Sequence, residues 1–253
     1  MGLVVLAIHA HPDDIEFCCA GTLILLKDAG CELNYMTVAR GDVGSMEFNR
    51  RKAARVREKE ARNAASFIGA MFHPAITRDI EVFYTIDQIR KVLAVIREVA
   101  PDMMLVPSPE DYMEDHMNAS RLAVSAAFCR AIPNVKSRPR RAPVSREVVV
   151  YHAMPHGLKD GMRRQPVPDF YVDITEVMER KEKMLSMHES QKAWLDKTQG
   201  MESYLASMRE TSAAVGKMSG SFRYAEGWRR HNNLGFSVKE TDPLREILTE
   251  YVQ

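Results

Sequence analysis

Leu3-Val4-Val5-Leu6-Ala7-Ile8-His9-Ala10-His11-Pro12-Asp13-Asp14 is the stretch that decides the fold. Its first half is apolar at every position, with none of the alternation of a half-exposed strand. Such a run suits a strand buried on both faces of a parallel sheet. It stops abruptly at imidazoles and carboxylates, which places chemistry at the strand's end. A helix over Gly21–Lys27 follows, closed by Gly30, and then a second strand-like segment, Glu32–Ala39. Strand, helix and strand within so short a span read as the first crossover of an α/β sheet.

The pattern continues outward from there. Asn49–Ile68 is a long charged helix, and Ala70–Ile76 is a third strand that Pro74 weakens. Thr85-Ile86-Asp87-Gln88 reads as a capping box opening the helix Ile86–Val99, whose Ile89, Val92, Leu93 and Ile96 recur with helical period. Met103–Val106 is another apolar strand, followed by a polar loop, Ser108–Asp115, and a helix over His116–Ala131. The expected architecture is a Rossmann-like, mostly parallel sheet flanked by helices. Right-handed crossovers then bring the loops at His11–Asp14, Gly41–Ser45 and Ser108–His116 to one edge, where open α/β sheets bind ligands.

The second half is less regular. Strands are expected at Glu147–His152 and Phe170–Val172, with a helix capped by Asp173 or Thr175 running toward Gln191. A broken helix over Trp194–Lys217, a loop over Gly220–Phe236 and a final helix over Pro243–Tyr251 complete the chain. No linker or repeat divides it, so the expectation is one domain over residues 1–253 with a smaller irregular C-terminal portion.

Composition narrows the function. The chain has 253 residues, and its 35 Lys and Arg against 34 Asp and Glu leave a formal net charge of +1, so no global field draws nucleic acid or an anionic membrane. No apolar run approaches the roughly 20 residues of a membrane span. The cysteines Cys18, Cys19, Cys31 and Cys129 form no C-x-x-C pair, which fits reduced thiols in the cytoplasm better than a disulfide framework or a thiolate zinc site. The N-terminus lacks the basic and small-residue features of a secretory signal.

His11-Pro12-Asp13-Asp14 carries the strongest chemical signal. Adjacent carboxylates are costly unless a cation or donors compensate them, and a divalent metal is the natural compensation. One Asp can ligate while its neighbour faces the activated water, the position of a general base. A third ligand should come from a loop on the same edge, and Asp115-His116, in the acidic stretch Asp111–His116, is the best candidate.

These motifs resemble those of the PIG-L/LmbE-like zinc-dependent N-deacetylases, which act on N-acetylglucosaminyl-phosphatidylinositol, on glucosaminyl precursors of small thiols and on chitin-derived sugars. The resemblance rests on Ala10–Asp14 with Asp115-His116, and extends to Gly21-Thr22, Gly41–Gly44, Arg57–Glu60, Asp173–Thr175 with Lys183, and His188–Gln191, and more weakly to Tyr224–Glu226. It implies His11, Asp14 and His116 as zinc ligands, Asp13 as general base, Arg57 as a substrate contact, and Asp115 as a partner of the ligand set within the catalytic machinery. It implies hydrolysis of an acetamide on an amino sugar or glucosaminyl conjugate, and a homo-oligomer, trimeric or hexameric. Ferrous iron or another divalent metal suits the same ligands.

The chain departs from the family in one place. The histidine usually found three residues before the second-motif ligand, assigned to oxyanion stabilisation or acid catalysis, is Met113 here. His152 and His156 are candidate replacements at the substrate, and His188 is a third. The alternative is a metal-binding family member with little turnover. Arg57 and Glu60, three residues apart, read equally well as a surface ion pair.

Overall fold

In a computed structural model of the protein, residues 2–191 and 204–253 are described. The opening run forms β1 (Val4–His9), with Val5 to Ile8 fully buried. Alternate residues of the central strands enter opposite cores. Val5 and Ala7 of β1, with Met103 and Leu105, face one core; Leu6 and Ile8, with Met104 and Val106, face the other. A strand packed on both sides needs apolar residues at every position, which is why the run shows no alternation.

The chain then forms α1 (Asp14–Cys18), α2 (Ala20–Asp28), β2 (Glu32–Thr37), α3 (Arg50–Phe67), β3 (Met71–His73), α4 (Ile86–Val99), β4 (Met103–Val106) and α5 (Glu114–Phe128). Further on come β5 (Val149–Ala153), β6 (Phe170–Asp173), α6 (Met178–Leu185), α7 (Tyr204–Ser219), β7 (Ala225–Arg230) and α8 (Pro243–Ile247). The sheet order is β3-β2-β1-β4-β5-β7-β6, parallel from β3 through β5 and antiparallel where β7 joins β5 and β6. Helices α2, α3, α6 and α7 contribute to the core on one face, and α4 and α5 to that on the other.

Local signals account for most boundaries. Asn49 caps α3 by accepting from the Lys52 amide, and Thr85 caps α4 by accepting from the Gln88 amide. The capping box is only half made, because the Gln88 side chain donates to the Glu81 carbonyl instead. The loop expected over Gly220–Phe236 contains β7, a correction with a packing cause. Glu226, Gly227 and two arginines give Ala225–Arg230 no strand-like pattern, yet Trp228 is fully buried and its indole N–H donates to Thr22. Glu226 accepts from the amides of Gly21 and Thr22 at the start of α2 and pairs with buried Lys181 at 2.7 Å. The final helix is also shorter than expected, ending at Ile247 before a separate 3-10 turn, Thr249–Tyr251. The part of the expected helix over Trp194–Lys217 that precedes Tyr204 lies outside the described residues.

The strand order reverses between β1 and β4: β2 and β3 lie to one side of β1, β4 and β5 to the other. The loops that follow β1 and β4 therefore diverge and leave a crevice at their carboxyl ends, where such sheets bind ligands.

Candidate active site

That crevice is a cavity of about 370 Å³ whose lining includes His11, Asp13, Asp14, Arg57, His116, His156 and Tyr204. The three expected loops converge on it. His11–Asp14 and Ser108–His116 supply the charged groups, and Val43 and Gly44 form part of the wall.

His11, Asp14 and His116 each aim one ligand atom at a common point, all within 4.8 Å of one another, and all three are buried. The imidazole tautomers follow from their outer partners. His11 Nε2 lies 3.0 Å from Asp115 Oδ2, and His116 Nδ1 lies 2.9 Å from Asp111 Oδ1. A carboxylate accepts only, so each of these nitrogens carries a proton and donates it. The remaining nitrogens, His11 Nδ1 and His116 Nε2, each stand 3.5 Å from Asp14 Oδ2. A cation that displaces their inward protons would meet two imidazole lone pairs and a carboxylate oxygen in this buried space. Carboxylates that orient ligating histidines from behind are a regular feature of metal sites.

The electrostatics agree. Burial opposes charge on His11, yet its bonds to Asp115 and Asp14 push its pKa up to about 10. Burial likewise works to raise Asp14, but His116 and His11 outweigh it and hold its carboxyl well below the usual range. The cluster draws positive charge to itself, and its donor set fits a divalent metal.

Asp13 sits beside this cluster in a strained backbone, with φ at 101° in the left-handed region that a non-glycine residue rarely adopts. Neighbouring bonds hold the turn: Phe17 N–H donates to the Asp13 carbonyl, and His11 N–H to Asp14 Oδ2. One Asp13 oxygen lies 3.1 Å from the Arg57 guanidinium and the other accepts from the Tyr204 hydroxyl at 2.5 Å. Burial raises its pKa above the usual carboxylate value, against the pull of Arg57.

Arg57 is buried, not half of a surface pair with Glu60. Its Nη2 donates to the Pro12 carbonyl, and Glu60 instead accepts from Ser190. Gly41, at φ 73°, packs directly on the guanidinium; a Cβ there would come within 2.6 Å of it. Asp115 orients His11 and accepts from the Ile80 amide at 2.7 Å, and it is not part of the cavity wall.

The candidate replacement histidines separate clearly. His156 lines the cavity, stacked on Phe17 at 4.2 Å between ring centres, with its ring 6.3 Å from that of His116. Its amide donates to Asp111, and burial lowers its imidazole pKa, so it stays neutral. His152 is not at the cavity. It is held on β5 beside the end of β4, where Nδ1 is 2.9 Å from the Pro107 carbonyl and Nε2 is 3.0 Å from His231. Strand alternation explains the difference, since His152 points into the packed face of β5 whereas His156 follows the strand in the loop at the crevice. His188 is fully buried beside Glu16, at 3.2 Å, below the cavity rather than in its wall.

Tyr204 had no sequence signal: at the start of α7, four residues before buried Met208, it reads as core. Phe17 and Tyr112 also line the cavity without having been singled out, as does Gln191 of the resembling stretch His188–Gln191, whose Oε1 is buried with no partner among the described residues.

A Rossmann-type sheet bearing a His–Asp–His cluster and a spare carboxylate at its switch point has the groups that metal-assisted hydrolysis requires. The family model described as GlcNAc-PI de-N-acetylase, PIG-L, matches residues 6–127. The diacetylchitobiose deacetylase of Thermococcus kodakarensis is 32% identical over 89% of this chain and 82% of its own length. The chain belongs to the PIG-L family, and such relatives make it an amidohydrolase. Among solved structures, the N,N'-diacetylchitobiose deacetylase of Pyrococcus horikoshii superposes with a TM-score of 0.75 at 25% identity, covering 95% of this chain and 88% of that one. The 4-carboxy-2-hydroxymuconate hydratase GalB of Pseudomonas putida shares the fold at 21% identity, with a TM-score of 0.76 over 96% of this chain and all of that one.

Proposed function

We propose that the protein hydrolyses the N-acetyl group of an amino sugar or glucosaminyl conjugate, with one divalent cation held by His11, Asp14 and His116. The observation that carries this reading is the placement of Asp13 beside three convergent ligand atoms in the crevice. Two imidazoles and a carboxylate favour zinc, and ferrous iron accepts the same set. A cation so bound polarises the acetyl carbonyl and acidifies water.

The chain's own groups do the rest. Asp13 takes the proton from the attacking water; its raised pKa suits a base that must later give the proton back. Arg57 and Tyr204 hold the carboxylate in line, and Asp115 and Asp111 fix the imidazoles of His11 and His116. His156 donates a hydrogen bond to the oxygen on which charge develops, in place of the histidine absent at Met113. The C–N bond breaks, and Asp13 returns its proton to the departing amine, leaving acetate. Arg57 and Gln191 face the sugar.

All four cysteines are free, which supports a cytoplasmic placement; among the described residues no helix is long and apolar enough to cross a membrane. Exposed Ile80, Phe83, Tyr84 and Ile86, gathered in one short stretch, support assembly into a trimer or hexamer. The test is acetate release from a panel of N-acetylhexosamine conjugates by the metal-loaded protein. Release that disappears in Asp13→Ala is expected; no release from any member of the panel overturns the proposal.

A further inference from the structure

A second cleft, of about 580 Å³, lies behind the catalytic loop, bounded by Pro12 and by residues of β2, β3, α3 and their loops. Five arginines line it, Arg40, Arg50, Arg51, Arg55 and Arg78, against two carboxylates, Asp42 and Glu58. Both carboxylates are already taken: Asp42 accepts from Arg50 at 2.9 Å, and Glu58 from Arg62 at 2.8 Å. Arg40, Arg51, Arg55 and Arg78 are exposed and have no carboxylate partner among the described residues. In a chain whose net charge is only +1, so many unneutralised guanidinium groups around one concavity concentrate positive potential there.

We propose that this cleft binds a small, multiply charged oxyanion ligand, one bearing phosphoryl groups or clustered carboxylates. Guanidinium forks match either group bidentately, and a concave site focuses their field. The cleft also touches the catalytic pocket through buried Asp42. Its second oxygen accepts from the Asp79 amide, and the Asp79 carboxylate accepts from the amides of Gly41 and Val43, the loop that walls the active site. A bound anion therefore acts on the far side of that loop, separate from the His–Asp–His cluster. This inference does not depend on the deacetylase reading.

The test is calorimetric titration of the metal-loaded protein with fructose 1,6-bisphosphate and, separately, with tricarballylate. Saturable binding of at least one, with a Kd at or below about 1 mM, is expected, and the tighter of the two identifies the source of the anion. The double variant Arg55→Ala/Arg78→Ala should weaken that binding at least about tenfold, while activity without the anion is unchanged. Arg55→Lys/Arg78→Lys, which keeps charge but loses the fork, serves if the alanine pair does not fold, and should weaken binding in the same direction. Binding of neither anion, binding indifferent to both double variants, or binding abolished by His116→Ala would overturn the proposal.

Discussion

The Tyr204 hydroxyl donates to Asp13 Oδ2 at 2.5 Å, joining the start of α7 to the turn that follows β1, across 191 residues of sequence. The bond stabilises the charged carboxylate and so opposes the rise that burial causes. Tyr204→Phe should raise the Asp13 pKa further. Because the base works only when deprotonated, activity is lost as pH falls through that pKa. The acid limb of the kcat/KM profile should therefore move up by about 1–2 pH units, the worth of one hydrogen bond to a charged group. A limb that stays in place would mean that Asp13 is not the titrating base.

Asp115 acts through His11. Replacing it with Ala leaves the His11 ring free to rotate and should weaken metal affinity by roughly 10–100-fold. Competition against a graded series of chelators measures this directly. Unchanged affinity with lowered kcat would instead make Asp115 a direct participant in the reaction.

His156 and His152 should behave differently despite their closeness in sequence. His156→Ala should lower kcat by about 10²–10³ with a smaller effect on KM, as loss of an oxyanion donor does. His152→Ala, outside the cavity, should leave kcat within a few-fold and reduce stability instead. Steady-state kinetics on both variants decides between them; equal losses of kcat would refute the assignment.

His152 also sets an acid limit on stability. Burial lowers its pKa to about 4 in the folded protein, from 6.5 in the unfolded chain. Between these values the unfolded state binds the additional proton, so stability falls as pH drops from about 6.5 to 4 and is fully present above. The shift corresponds to about 3 kcal/mol at most. Urea midpoints measured across this range should fall less steeply in His152→Phe than in the parent. Parallel slopes would place the titration elsewhere.

The sequence disclosed the sheet and the candidate ligand cluster because both rest on local patterns. Val4–Ile8 and Met103–Val106 are apolar throughout, since both faces of each strand are covered, and His11, Asp14 and His116 lie where these strands or their loops meet the crevice. What stayed hidden depends on distant partners. β7 is held by Trp228 on Thr22 and by Glu226 on α2, contacts made across about two hundred residues and invisible to periodicity. Tyr204 looks like core because it is core on all sides but one. Arg57 is ambiguous on a helix surface until Pro12, Asp13 and Gly41 close around it.

The convergence of His11, Asp14 and His116 on one cation is tested most directly by metal stoichiometry. The protein is stripped with chelator, reloaded with zinc and analysed by mass spectrometry of the bound element, alongside His11→Ala and His116→Ala. The account predicts one tightly held ion per chain in the parent and almost none in either variant. A parent that retains no ion, or variants that retain it as well as the parent does, would contradict it.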